Sequence, residues 1–422
     1  MRSSARISSG YLASPWPGED GQPERLQTPR HGAGLALQAG ETLRCVTRNT
    51  MLSTMTVLGA PGEVYLLTHS AIRSSLGLPT TACVELIDPL TLKTVHRSPR
   101  LNGGPMWPGG MAIHRNGDIY VVYGRYVHRL NRLCQPLAEL KLALDQPYNS
   151  FVILDNGMLV TKNLSETCNA RLSVIDATSL LPACQDSECP EPSVARLSST
   201  GNTVYVVGLR SIFRYHWDDD VGRLVFDDDW RFDYIGSSTQ SFAWDVVLDG
   251  RNAWFMDNGK HRYRTRMIGA GVNPAPNRLI RVSMSDAGDH QIVPVCGAKG
   301  GSITNPPLID LQRQIVIGYD SANRYLRAWR FDLATNQMTP LWEKAPFGCA
   351  SHMILYPDTG ELLINDYRNN GEEVVLLEIE SGAEIGRVRS GGLTQGVVFP
   401  SAGWQRDFYW SSMGRLARIF VQ

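Results

Sequence analysis

The chain has 422 residues, 43% of them hydrophobic, which is enough for one large repeat domain or for several small domains. Lysine plus arginine and aspartate plus glutamate both number 41, so no positive excess is present to favour general binding to nucleic acid or to an anionic membrane. No continuous apolar run reaches the roughly 18 residues that a transmembrane helix needs, so none is predicted.

The first 40 residues combine Ser, Pro, Gly and charged side chains and contain no apolar stretch. This composition predicts a flexible N-terminal tail (1–40) ahead of one folded domain at 41–422. No secretory signal is readable in it, which favours a cytoplasmic location. The segment "TLRCVTRN" (42–49) follows the tail and is predicted to form a strand that belongs to no repeat.

A strand–turn–strand pattern recurs along the rest of the chain, as in "YNSFVILDNGMLVTKN" (148–163) and "ASHMILYPDTGELLINDY" (350–367). Most copies lie 40 to 55 residues apart. The longest gap contains a further copy, "PPLIDLQRQIVIGY" (306–319), with Leu311-Gln312 at its turn. The other copies carry a turn glycine: Gly62, Gly117, Gly157, Gly201, Gly250, Gly360 and Gly403. The sequence therefore predicts eight repeat units.

The second half of a unit often ends a strand with an acidic residue, followed three positions later by Thr or Ser. An acid at the first position of a type I turn accepts the backbone N–H two residues on, which favours a tight hairpin. The examples are Asp88–Thr91, Asp176–Ser179, Asp332–Thr335 and Glu378–Ser381. Four short strands with tight turns are typical of a β-propeller blade, so we expect an all-β fold, an eight-bladed β-propeller of four-stranded blades.

The last unit (393–422) supplies only three strands. We therefore expect residues 42–49 to add the outer strand of the last blade. This pairing would join the two ends of the domain and remove an open sheet edge.

The eight cysteines are scattered without a CxxC pair, which argues against a zinc ribbon. Cys184 and Cys189 are close enough in sequence to form a loop disulfide, with Cys168 as a rival partner. Reduced thiols buried in strands are the main expectation for most of the eight.

The segment "LRAWRFDLATNQMTPLW" (326–342) resembles a blade motif of pyrroloquinoline-quinone enzymes and of related surface-protein repeats. Four residues stand near its Ala, Asp, Thr and Trp positions: Ala328, Asp332, Thr335 and Trp342. Asn336 stands where the motif has glycine. The resemblance implies the propeller architecture and, as one alternative function, a quinone-dependent dehydrogenase. Because one blade alone matches, the quinone cofactor is not carried over.

The chain is also similar to calcium-dependent gluconolactonase-like propellers. Their acidic and Asn ligands lie at the start of inner strands, as Glu191 and Asn149 do here, but their Asn-Gly and Asp-Gly pairs are missing. This resemblance implies a Ca²⁺-assisted hydrolase acting on a lactone or an ester. The alternative is a propeller without enzymatic activity that binds another protein.

In a propeller, the loops before the first strand and after the second strand of each blade meet at one end of the central channel, here called the upper face. Polar residues at these positions predict a site for a small polar molecule. The expected metal ligands are Glu191, Asn149 and Asp257, and the expected catalytic residues are Asp245 and His352. The expected ligand-binding residues are Lys162, Asp366 and, in the long loop 256–279, Arg262, Arg264 and Arg266. For Asp245 and His352, a structural ion pair or hydrogen bond is the competing interpretation.

Overall fold

The structure is a computed structural model that describes residues 10–30, 34–70, 73, 76–105, 109–260, 272–368, 371–392, 399–412 and 414–422, without the side chains of Thr54 and Asn149. Every element with defined bounds is a β-strand, and the strands form eight sheets. Among the described residues, no helix has the length and apolar character that crossing a membrane requires. The predicted all-β, eight-bladed propeller is confirmed.

The strands follow one another blade by blade. The N-terminal strand is β1 (Leu43–Asn49). Blade 1 contains β2 (Leu52–Leu58), β3 (Val64–His69), β4 (Thr80–Ile87), β5 (Thr94–Arg97) and β6 (Leu101–Gly104). Blade 2 contains β7 (Gly110–Ile113), β8 (Ile119–Tyr123), β9 (Tyr126–Leu130) and β10 (Pro136–Lys141). Blade 3 contains β11 (Tyr148–Ile153), β12 (Leu159–Asn163), β13 (Arg171–Ile175) and β14 (Ser187–Glu188). Blade 4 contains β15 (Ser198–Thr200), β16 (Thr203–Val207), β17 (Ser211–Asp218) and β18 (Arg223–Asp233).

The second half of the ring repeats this arrangement. Blade 5 contains β19 (Val247–Leu248), β20 (Asn252–Met256), β21 (Arg278–Ser283) and β22 (His290–Pro294). Blade 6 contains β23 (Leu308–Asp310), β24 (Ile315–Asp320), β25 (Tyr325–Asp332) and β26 (Gln337–Lys344). Blade 7 contains β27 (Ile354–Tyr356), β28 (Glu361–Arg368), β29 (Gly371–Glu378) and β30 (Glu384–Arg389). Blade 8 contains β31 (Ser401–Ala402), β32 (Asp407–Ser412), β33 (Arg415–Val421) and β1.

The first strand of each blade lies along the central channel, and the last strand lies at the rim. The inner strand β7 is buried at every position, whereas the outer strand β5 is exposed at every position. The predicted turn glycines follow the inner strands, and at six of the seven the backbone has a positive φ, which glycine adopts without a steric penalty. The turn of blade 6, where glycine is absent, uses Gln314 at a φ of 56°.

The ring closes through β1, as the sequence predicted. β1 pairs antiparallel with β33, from Leu43 opposite Val421 to Asn49 opposite Arg415. Hydrophobic clusters join each blade to the next around the ring, including one shared by blades 7, 8 and 1. The first and last strands of the domain therefore belong to one sheet, and β33 is not left as an open sheet edge.

Residues 10–30, here called the N-terminal segment, differ from the expected flexible tail, because they lie inside the channel. Trp16, Asp20, Arg25 and Gln27 in this segment are each at most 2% exposed. The chain turns back on itself, and the Gln27 N–H donates to the Asp20 carbonyl oxygen at 3.1 Å. The composition suggests disorder because the segment cannot form a core of its own; the inner strands of the ring supply the apolar and polar partners that it lacks.

Hydrogen bonds attach the N-terminal segment to seven of the eight blades. Several ring partners are the last residues of inner strands, so the segment occupies the channel end opposite the upper face. The ring residues bonded to it, from blade 1 to blade 7, include Leu58, Ile113, Arg115, Ser150, Ile153, Leu197, Ser199, Leu248, Pro307, Met353 and Leu355.

Candidate functional site

Ionisable side chains from three blades and from the N-terminal segment meet inside the channel. Arg196, Asp245 and His352 each stand two residues before the inner strand of their blade, in blades 4, 5 and 7. Arg25 and Asp20 reach them from the segment. All five side chains are more than nine-tenths buried. The repeat architecture therefore brings together residues that lie far apart in the sequence, Asp245 and His352 among them.

Asp245 is an ion-pair partner of Arg196. The Arg196 backbone N–H donates to Asp245 Oδ1 at 2.8 Å, and its guanidinium donates to Oδ2 at 2.9 Å. Burial raises the pKa of Asp245, but the charges of Arg196, Arg25 and His352 outweigh this effect and hold the pKa at about 2. Asp245 is therefore a carboxylate at neutral pH that holds Arg196 in place, as the competing interpretation proposed.

One ring nitrogen of His352 contacts a carboxylate, and the other has no hydrogen-bond partner in the described part of the chain. Its Nδ1 lies 2.7 Å from Asp20 Oδ1, an ion-pair contact that does not meet the geometry of a hydrogen bond. Its ring stacks on Phe399, with centroids 4.2 Å apart and an angle of 27° between the planes. Its Nε2 is buried and has no hydrogen-bond partner among the residues the structure describes.

Arg196 shares the same aromatic neighbour. Its guanidinium carbon lies 4.3 Å from the centroid of the Phe399 ring. Its Nε is also buried and donates no hydrogen bond within the described part of the chain, although Glu19 Oε1 lies 3.9 Å away. Because buried polar atoms are normally hydrogen-bonded, two unbonded nitrogens against one ring mark a place where a polar group from outside the chain would be stabilised.

Lys162 lies on the side of the channel between blades 3 and 4. It is 2% exposed, and within the described ranges its Nζ has one hydrogen bond, a long one of 3.4 Å to the Ser193 carbonyl oxygen. Burial lowers the pKa of Lys162 to about 7, against the weaker raising effects of Cys189 and Asp245. A large share of Lys162 is therefore neutral near pH 7, when the amine can accept a hydrogen bond as well as donate one.

The expected metal ligand Glu191 is saturated by the turn that follows β16. Its oxygens accept the Arg210 N–H at 2.7 Å, the Ser211 N–H at 3.0 Å and the Ser211 hydroxyl. A Cβ at Gly208 would lie 2.4 Å from the Glu191 carboxyl carbon, so glycine there makes room for this contact. Burial raises the pKa of Glu191.

Asp257 has an equivalent role after β20. Both of its oxygens accept bonds from Arg278, from the backbone N–H at 2.6 Å and from Nε at 2.7 Å. Burial raises its pKa to about 6. The side chain of Asn149, the third expected metal ligand, lies outside the described residues.

Among the expected ligand-binding residues, Asp366 forms ion pairs with Arg368 and Arg387 and accepts the Gly348 N–H at 2.8 Å. Asp366 is fully buried, and both of its ion-pair partners belong to its own blade, blade 7. The remaining three, Arg262, Arg264 and Arg266, lie outside the described residues.

A metal ion has one candidate group of ligands in the described part of the chain: Asp20, Asp245 and His352 offer atoms within 4.8 Å of one another. An imidazole with two carboxylates suits a transition metal, whereas Ca²⁺ prefers six to eight oxygens. Arg25 and Arg196 already bind these carboxylates. The residues present therefore do not fit calcium, and they oppose any cation through two adjacent guanidinium groups.

A quinone cofactor does not fit the centre of the channel either. A large planar group needs a slot between flat faces, and the Phe399 ring is already covered by His352 and by Arg196. Asp20 and Arg25 occupy the neighbouring space.

Sequence reasoning missed Asp20, Arg25 and Arg196. Asp20 and Arg25 belong to a Pro- and Gly-rich stretch whose composition indicates a tail. Arg196 was not predicted as a channel residue because arginine side chains are usually exposed. A usable signal was the position two residues before each inner strand, where the sequence places ionisable side chains in blades 4, 5 and 7.

No family model and no curated protein matches the chain. Solved structures share its fold, including a europium-containing methanol dehydrogenase (TM-score 0.62, 9% identity, 96% of this chain and 98% of that chain). The quinohemoprotein alcohol dehydrogenase from Comamonas testosteroni is also similar (TM-score 0.64, 10% identity, 98% and 81% covered). The Dos1 propeller is a third (TM-score 0.58, 8% identity, 89% and 94% covered). Identities this low establish the propeller fold and leave function to the site.

Proposed function

We propose that this chain binds a small polar molecule in the central channel and hydrolyses an ester or lactone bond in it. One observation carries the proposal: His352 Nε2 and Arg196 Nε are buried, lack hydrogen-bond partners among the described residues and adjoin the same Phe399 ring. A base and a cation beside one apolar surface suit a carbonyl group under attack by water.

The proposed reaction uses water as the nucleophile. His352 Nε2 accepts a proton from water as its oxygen attacks the carbonyl carbon. Arg196 stabilises the oxyanion that forms, and Asp245 holds Arg196 in position. The acyl–oxygen bond then breaks, the leaving alkoxide takes the proton from His352, and a carboxylic acid and an alcohol result. Lys162 hydrogen-bonds a polar substituent of the substrate.

The test is a hydrolysis assay with small esters and lactones, 4-nitrophenyl acetate and γ-butyrolactone among them. His352→Gln should lower kcat/KM by roughly 100-fold or more, because a general base contributes about that much. His96→Gln is the matched control, since His96 lies on the exposed strand β5. Equal rates in wild type and His352→Gln would refute the role of His352, and no turnover across the panel would refute the hydrolase.

A metal-assisted site is the second candidate: Asp20, Asp245 and His352 offer ligand atoms within 4.8 Å of one another, but a cation there would compete with Arg25 and Arg196 for the two carboxylates. The calcium site expected at Glu191, Asn149 and Asp257 is the other version of this proposal. Thermal unfolding with Ca²⁺, Mn²⁺, Zn²⁺ or EDTA separates them, because an ion that binds only the folded state raises the Tm. A Ca²⁺ shift abolished by Glu191→Gln supports the calcium site; a Zn²⁺ or Mn²⁺ shift abolished by His352→Gln supports the channel cluster; no shift refutes both.

A further inference from the structure

The N-terminal segment delivers a carboxylate to the imidazole of His352. Asp20 is 2% exposed, and its two oxygens divide between two partners, Oδ1 facing His352 Nδ1 at 2.7 Å and Oδ2 accepting from Arg25 at 2.9 Å. Its backbone has a φ of 53°, in the left-handed region that non-glycine residues rarely adopt. The surrounding contacts hold Asp20 in this strained backbone conformation.

The charge state of Asp20 suits an acceptor role. Its Oδ2 forms an ion pair with Arg25 Nη1 at 2.9 Å, and this pairing stabilises the ionised carboxylate. A carboxylate accepts hydrogen bonds and cannot donate one. The nitrogen of His352 that faces it is therefore stabilised when it carries a proton.

We propose that Asp20 is a positioning residue of the channel site: it holds the proton on Nδ1 of His352 and leaves the lone pair of Nε2 free to accept a proton. The N-terminal segment thereby completes the site from the end of the channel opposite the upper face. What the free nitrogen does rests on the proposed hydrolysis, whereas the tautomer of the ring does not.

His352 and Asp20 are each held in place by a further neighbour. Phe399 stacks on the His352 ring and fixes its plane. Asp20 is fixed by Arg25, whose Nε also donates to the Leu197 carbonyl oxygen at 2.9 Å in blade 4. A carboxylate anchored to the ring and an imidazole held by an aromatic neighbour keep the contact between Oδ1 and Nδ1 in one geometry, as an orienting residue requires.

The experiment reads the tautomer directly from ¹⁵N NMR of the full chain labelled at histidine, with His352→Gln assigning the signal. In the wild type, a neutral His352 ring should carry its proton on Nδ1. Asp20→Asn should shift the population toward the Nε2–H form, because an amide can donate to Nδ1. Asp20→Glu should restore the wild-type tautomer at least in part. The control is Ser14→Ala, which removes another buried bond of the segment, to the Leu58 carbonyl oxygen at 2.6 Å.

Two results would overturn the inference: a wild-type ring protonated on Nε2, or an unchanged tautomer in Asp20→Asn. The first needs no variant, so it stands even where Asp20→Asn fails to fold. If hydrolysis is found, Asp20→Asn should lower kcat by roughly tenfold or more with a smaller change in KM, since a wrong tautomer impairs the base. An Nδ1–H ring in a protein without hydrolase activity would reject the proposed function and keep the orienting role of Asp20.

Discussion

Single residues inside the channel differ in how completely their charges are compensated. Asp245 is paired with Arg196, and Asp20 is paired with Arg25, so their burial leaves no isolated charge. Among the described residues, Lys162 Nζ has one hydrogen-bond partner, the Ser193 carbonyl oxygen at 3.4 Å. A charged amine in that setting is destabilising, which explains its lowered pKa and predicts how stability depends on pH.

Lys162→Met should stabilise the protein, and more at neutral than at alkaline pH. Between a folded pKa of about 7 and an ordinary value of 10.5, the unfolded chain binds more protons than the folded protein, so wild-type stability rises with pH across this window. Methionine removes that penalty, so the gain should reach a few kcal/mol at pH 7 and shrink toward pH 10. Chemical denaturation at both pH values measures it.

The matched control for this variant is Lys260→Met, because Lys260 is half-exposed and pairs with the exposed Glu166. Its effect should be small at both pH values. A gain from Lys162→Met that does not change with pH, or a loss of stability, would show that the amine is protonated and well solvated in the folded protein.

The residues of the channel were only partly predictable from the sequence. Asp245 was expected to need a partner because a carboxylate follows Trp244 in an apolar run, and Arg196 is that partner. The identity of this cationic partner depends on how the closed ring arranges its blades. Neither hydrophobic periodicity nor residue spacing predicts that arrangement. The burial of Asp20 was not predictable, since its neighbours favour a flexible chain and its partner His352 is 332 positions away.

At the scale of strands and turns, the sequence pattern predicts the local hydrogen bonds well. Each predicted turn acid accepts backbone N–H groups: Asp88 from Thr91, Asp176 from Ser179, Asp332 from Thr335 and Glu378 from Ser381. These bonds are local, so a single sequence contains all of their determinants. Two of the predicted site residues also bond to backbone N–H groups next to second strands. Glu191 accepts from Arg210, which follows β16, and Asp257, which follows β20, accepts from Arg278.

Asp176→Ala tests the contribution of one such turn. Asp176 Oδ1 accepts the Ser179 N–H at 2.7 Å and its hydroxyl at 2.8 Å. Losing both should lower the free energy of unfolding by about 1 to 2 kcal/mol. These bonds lower the pKa of Asp176, so the wild-type advantage exists above its unfolded pKa and disappears as pH falls through the folded one.

Denaturation of Asp176→Ala at neutral and at acidic pH measures this effect, and Asp358→Ala, at an exposed turn position, is the control. Asp176→Asn should retain much of the stability, because an amide oxygen also accepts the backbone N–H. An equal loss from the alanine variant at both pH values would assign the effect to something other than the ionised turn acid.

At the scale of the whole molecule, two parts of the N-terminal region connect the blades of the ring. β1 completes the sheet of blade 8, and the N-terminal segment fills the channel while bonding to seven blades. The first closure was predicted because the last repeat lacks one strand. The second was not, because a segment without its own periodicity gains structure only from the finished ring. Both make the N-terminal segment (10–30) and β1 part of the folded ring.

A disulfide across the closing strands tests whether their separation limits unfolding. Thr42 and Gln422 exchange both backbone hydrogen bonds, so alternation along the antiparallel ladder makes Cys45 and Ile419 a non-hydrogen-bonded pair. Their Cα atoms should lie about 4.5 Å apart, within the range a disulfide spans. Ile419→Cys should therefore oxidise with the native, half-buried Cys45, one of eight free thiols.

The oxidised variant should melt well above its own reduced form, which carries the same substitution and so controls for the lost isoleucine. The bridge encloses nearly the whole domain, and closing so long a loop in the unfolded chain corresponds to several kcal/mol in the chain-entropy model. Mass spectrometry confirms the bond and calorimetry compares the two forms. Failure of the bond to form would contradict the register of β1 on β33, and a bond with no gain in Tm would mean that unfolding starts elsewhere in the ring.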